Sequence, residues 1–170
     1  MRYIFSVTIL LLGFHLLQSQ TLLQTKNGVI EFFSKTPVED IYAKNSETSA
    51  LLNPSTGETA FSLSVNAFKF ENKLMEEHFN ENYLESEKYP KSTFSGKIDN
   101  IQNINFSKDG KYSSTVSGKL TMHGVTKDVS SPVTFEVYQG KVLARADFKV
   151  ALVDYKIKVP KLVVNNIAEV

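Results

Sequence analysis

The sequence predicts an all-β, antiparallel domain with one amphipathic α-helix. Apolar and polar residues alternate at period two in several separate runs. Turn-forming residues punctuate those runs, and one stretch alone switches to helical spacing. Sequential strands joined by such turns indicate an antiparallel sandwich or barrel.

The first element lies outside this pattern. Arg2 is the only charged residue before Lys26, and Tyr3 to Leu17 is apolar over about fifteen residues. That is short of the roughly 20 needed to span a bilayer. A positive start, an apolar run and the polar Gln18-Ser19-Gln20 make a secretory signal peptide. Residues 1–20 are expected to be cleaved, after Ser19 or Gln20, leaving a single domain at 21–170. The alternative is an uncleaved anchor. The expected location is the periplasm or outside the cell. No Cys follows the apolar run, which excludes a bacterial lipoprotein.

The strands follow. In 60–68 the apolar set is Phe61, Leu63, Val65 and Ala67, facing away from Ser62, Ser64 and Asn66. In 93–99 it is Phe94, Gly96 and Ile98. In 112–122 it is Tyr112, Val116, Leu120 and Met122, with Ser114 and Gly118 as gaps. In 132–138 it is Val133, Phe135 and Val137. In 142–150 it is Val142, Ala144, Ala146, Phe148 and Val150. Asn53 to Gly57, Asp109-Gly110 and Gln139-Gly140 supply turns, and Asp109-Gly110 predicts a hairpin. Gly96, Gly118, Ala144 and Ala146 stand beside large inward residues. In a barrel, the room they leave can become a cavity.

The helix falls at 72–84. Leu74, Met75, His78, Phe79 and Tyr83 share one face, and Glu76, Glu77, Asn80 and Glu81 populate the other. Asn72 is the N-cap, and Tyr89-Pro90 stops any continuation. This helix would cover an open side or end of the barrel.

Composition narrows the function. Of 170 residues 42% are hydrophobic, enough for a core. The 19 basic and 18 acidic residues leave no basic field, so charge gives a nucleic-acid partner no support. Without Arg2 the mature chain is neutral. The absence of Cys excludes disulfides, Cys-ligated zinc and a thiol nucleophile. No G-x-S-x-G, P-loop or G-x-G-x-x-G occurs. An enzyme, a metal site and a cofactor are therefore not expected. His78 and His123 lack metal-ligand spacing, and His123 reads as part of a hairpin turn.

Three blocks of the chain resemble the YceI-like family. The first is Leu74 to Phe79, Tyr83, and Lys88 to Gly96. The second is Val116 to Val129, containing Gly118-Lys119-Leu120-Thr121 and Gly124-Val125-Thr126-Lys127. The third is Phe148 to Pro160, containing Asp154-Tyr155. The resemblance implies an extended lipocalin-like β-barrel around a long apolar cavity, in which some members bind polyisoprenoid or other amphiphilic chains. Met75 and Glu76 stand where many members have Arg-Asp. The 28–34 strand departs from the family's usual D-x-x-H-S start. The chain stops at Val170, where related sequences continue into a closing strand. A missing closing strand would expose an edge, and such edges pair with other chains, so a homodimer is one expected partner form.

The function expected is sequestration or transport of a long-chain lipid, isoprenoid in type, without catalysis. The apolar cavity is assigned to Phe61, Phe68, Phe70, Met75, Phe79, Phe94, Phe135, Phe148 and Tyr155. Of these, Phe68, Phe70, Met75, Phe79 and Tyr155 are expected to cluster where helix meets sheet. His78 is assigned to a head-group contact. The bland reading of the same aromatics is a filled core. It would suit an exported stress-related structural or interaction protein with no ligand. A lipid-modifying enzyme is the third reading, disfavoured by the lack of a nucleophile or metal set.

Overall fold

A computed structural model describes residues 22–34 and 41–158. The expected leader and the end of the chain lie outside the described residues. Among the described residues eight strands make one sheet: β1 (Leu23–Ser34), β2 (Ile41–Leu52), β3 (Glu58–Ser64), β4 (Lys69–Phe70), β5 (Lys91–Ile98), β6 (Gly110–Met122), β7 (Val125–Tyr138) and β8 (Lys141–Ala146). Their order is β1-β2-β3-β5-β6-β7-β8, with β4 paired to β2. Every ladder is antiparallel. The sheet curls into a half-barrel, and among the described residues no ladder joins β1 to β8.

Register fixes which residues share the concave face, because directly opposed residues point the same way. One row runs Phe61, Phe94, Leu120, Lys127. The next runs Thr59, Gly96, Gly118, Val129. Phe94, Ile98, Val116, Leu120, Val133 and Phe135 are buried there, as period two requires.

The turns sort differently from the expectation at one place. His123-Gly124 joins β6 to β7 with both φ values positive, at 50° and 71°, the two-residue turn that suits strand twist. Gln139-Gly140 does the same between β7 and β8, at 48° and 73°. Asp109-Gly110 forms no such hairpin. Residues 99–109 connect β5 to β6 through a 3₁₀ turn at Ile101–Asn103, and Gly110 opens β6. The Asp109 carboxylate instead accepts the Gln139 N–H at 2.9 Å, steadying the neighbouring turn.

The strand expected at 142–150 is shorter, because β8 stops at Ala146 opposite Val133. The next position on β7 is Pro132, which has no N–H for the ladder. Ser131 Oγ donates to the Asp147 carbonyl at 2.6 Å, and the chain leaves the sheet.

The helix is α1 (Lys73–His78), capped by Asn72, whose side chain accepts from Leu74 N at 3.0 Å and Met75 N at 3.3 Å. From Phe79 to Tyr83 the coil widens to a π-helical turn, and Leu84 N–H reaches back to Phe79 O. The inner stripe is Met75, Phe79 and Tyr83, all packed on the core. Leu74 and His78 were expected on that stripe, but both are exposed to solvent.

Candidate functional site

The aromatic side chains assigned from sequence fall into groups. Phe61 and Phe94, opposed across β3 and β5, stack at 5.2 Å with planes 13° apart. Phe148 leans on Phe94 at 5.5 Å from beyond the end of β8. A second group centres on Phe79, with Phe70 at 4.9 Å, Phe68 at 5.5 Å and Phe32 at 6.5 Å. Helix, β4 and β1 meet there. Phe135 pairs edge-on with Phe106 at 5.6 Å. Met75 lies half-buried against the core. Phe32 and Phe106 were not among the residues assigned from sequence. Neither lies in the alternating runs or on the helix.

The small inward residues behave in two ways. Gly96 and Gly118 face each other across β5 and β6. A Cβ on Gly96 would lie 2.6 Å from Phe94 Cζ, and one on Gly118 would lie 2.8 Å away. The Phe94 ring therefore fills the room these glycines leave. Ala144 and Ala146 differ. Their partners Phe135 and Val133 are buried on the concave face, yet both alanines are exposed. At β8 the apolar interior reaches the surface.

Tyr155 is placed by a contact the sequence conceals. It ends a 3₁₀ turn at Leu152–Tyr155, and its carbonyl lies 3.0 Å from His123 Nδ1. His123 Nε2 meets Glu85 Oε2 at 2.6 Å, and Tyr89 sits edge-on to the imidazole at 4.5 Å. The turn expected at His123 is thus also the junction of helix exit, hairpin and chain end. Spacing offered no signal for it, since the partners are 38 and 32 positions away. The Tyr155 ring is 2% exposed, and its hydroxyl is buried without a partner. Burial, then the adjacent Asp154, push the phenol above its ordinary range, so it stays a donor.

Concavities indent the surface of the described residues, two of them beside the sheet. One of about 530 Å³ lies by the β2–β3 turn, lined by Ser55, Thr56 and Lys97 to Gln102, and none of the assigned aromatics borders it. The other, of about 310 Å³, includes Tyr155.

A curled antiparallel sheet with an apolar concave face and one covering helix defines a lipocalin-like barrel protein. The model of the YceI-like domain matches residues 22–170, and the chain belongs to that family. Among solved structures it is similar to a polyisoprenoid binding domain from Saccharophagus degradans, described as implicated in plant cell wall breakdown. That match has a TM-score of 0.68 and 13% identity, and covers 80% of each chain. BcnA of Burkholderia cenocepacia matches at a TM-score of 0.61 and 16% identity, over 77% of this chain and 83% of that one. The YCEI protein of Campylobacter jejuni matches at 0.51 and 16%, over 92% and 80%. At such identities these likenesses show the fold. No curated protein matches the sequence.

Proposed function

We propose that the protein binds a long-chain amphiphilic lipid, isoprenoid in type, on its concave apolar face and carries it chemically unchanged. The observation that supports this reading is the exposure of Ala144 and Ala146 on a face whose neighbours are buried. An apolar interior with an open flank admits a chain from the side. Each buried CH₂ contributes about 0.8 kcal/mol, so a long tail binds with few polar contacts and no catalytic group. The polyisoprenoid-binding description of the Saccharophagus relative supports the ligand class. The reading includes export to the periplasm or beyond, from the apolar leader at 1–20.

The second reading, a ligand-free protein with a filled core, draws on the Phe94 ring over Gly96 and Gly118. Native mass spectrometry and lipid extraction of protein from its own host separate the two. Carriage predicts a co-purifying lipid and a melting temperature raised by prenyl compounds. Reproducible absence of both would leave the filled core standing.

A further inference from the structure

We propose that the concavity beside the half of β7 that β8 leaves uncovered receives the anionic oxygen head group of an amphiphile whose tail lies on the concave face. This rests on the lipid-binding reading and gives that ligand its polar end. The β8 ladder covers only Val133–Tyr138, so the stretch from Lys127 to Ser131 has no strand on its outer side. Residues 149–155 return alongside it, and the gap encloses about 310 Å³. Lys127, Ser130, Lys149, Asp154 and Tyr155 are among its lining residues.

Charge at this place is unbalanced. Asp128 also borders the gap, but its carboxylate is held by Lys119 at 2.8 Å. Lys127 and Lys149 take part in no ion pair among the described residues. Asp154 is the remaining carboxylate, so two cations face one anion. A singly charged head group completes the balance. Tyr155 adds a second, independent sign: a buried hydroxyl with no acceptor. An anionic oxygen reaching it from the gap would supply the missing acceptor.

Register links head to tail. Lys127 opposes Leu120, and Leu120 opposes Phe94, so the lysine belongs to the concave row. Lys149 follows Phe148, whose ring packs on Phe94. Each cation is thus one step from the aromatic stack. His78, the head-group contact expected from sequence, is exposed on the helix instead.

The test compares tetradecanoate, tetradecyl phosphate and tetradecanol, equal in tail and different in head, by calorimetric titration of the purified protein. Two charge-assisted contacts should make at least one anion bind about tenfold or more tightly than the alcohol. The order of the two anions tells a carboxylate source from a phosphate one. Lys127→Gln with Lys149→Gln should remove the preference, bringing the favoured anion down to the affinity of the alcohol for the same variant. Tyr155→Phe should weaken the preferred anion by roughly three- to tenfold. Equal affinity for all three probes, or a preference that survives the double lysine variant, overturns the head-group site while lipid binding stands. If no probe binds, the alcohol included, lipid binding itself fails.

Discussion

His123 Nε2 and Glu85 Oε2 lie 2.6 Å apart, joining the β6–β7 hairpin to the exit of the helix. The other ring nitrogen faces the Tyr155 carbonyl. The two ring nitrogens thus tie the hairpin to two segments distant in sequence. Three left-handed residues converge on this clasp: Glu85 at φ 44°, His123 at 50°, and Lys156, next to Tyr155, at 58°. Such conformations cost about 1–2 kcal/mol per non-glycine residue, and they persist where surrounding contacts over-determine them.

Breaking the clasp should therefore destabilise the fold more than an exposed pair would. His123 is buried, while the Glu85 side chain is 42% exposed. His123→Ala is expected to cost about 2–3 kcal/mol and Glu85→Gln about 1 kcal/mol. Urea unfolding of both single variants and the double variant measures their coupling. Simple additivity would show that the two side chains act separately.

The facing glycines give a sharper steric test. A methyl on Gly118 meets the Ser95 carbonyl oxygen and the Phe94 ring together. Gly118→Ala should lower stability by about 2–3 kcal/mol, although it adds one carbon. Gly140 has open space around it and a φ of 73°, so Gly140→Ala should show only the conformational cost, about 1–2 kcal/mol. A loss at Gly118 no larger than at Gly140 would contradict the close packing.

The open flank predicts an asymmetry between two positions on the same face. Ala144 is exposed and Leu120 is buried. Ala144→Trp should change stability by less than about 0.5 kcal/mol, while Leu120→Trp should cost about 1–3 kcal/mol through overpacking. Ala144→Trp should also weaken binding of prenyl compounds. Loss of stability equal to that of Leu120→Trp would mean that the flank is packed shut.

β3, β5, β6, β7 and β8 were legible because period two is a local property, whereas β2 and β4 were not read as strands and β1 only over 28–34. Phe94 and Ile98, and Val133 and Phe135, are buried as their alternation required. The end of β8 was not legible. Alternation continues through Phe148, but ladder formation depends on Pro132, a residue of the neighbouring strand. The helix was legible in place and cap, and less so in face. Leu74 and His78 fit the spacing, but the short α1 and its wide continuation turn only Met75, Phe79 and Tyr83 inward. The aromatic groups, the clasp and the polar gap at Tyr155 depend on tertiary contacts, which periodicity cannot carry.

Glu76 anchors the helix to the sheet. Its carboxylate accepts from Phe70 N at 3.2 Å and sits 3.4 Å from both Lys69 Nζ and Lys73 Nζ, tying helix to β4. Desolvation pushes this carboxyl up, but the Phe70 N–H and the two lysines together hold it below its ordinary value of 4.5. A depressed folded value gives stability that is fully present above the unfolded value and lost as pH falls through the folded one. Glu76→Gln should lower the melting temperature near neutrality and flatten its decline below about pH 4.5. Parallel pH profiles for the two proteins would exclude this role.

The clasp also orders events in time. The β6–β7 hairpin closes on two residues, a contact that forms within microseconds in short chains. The bonds from His123 to Glu85 and Tyr155 must wait until separate segments have docked on that hairpin. Contacts made after the rate-limiting step do not speed folding; they slow its reversal. A clasp that forms after that step would act as a kinetic lock. Its loss would then leave the folding rate nearly unchanged and shorten the lifetime of the folded protein, which the two arms of a denaturant rate plot would show.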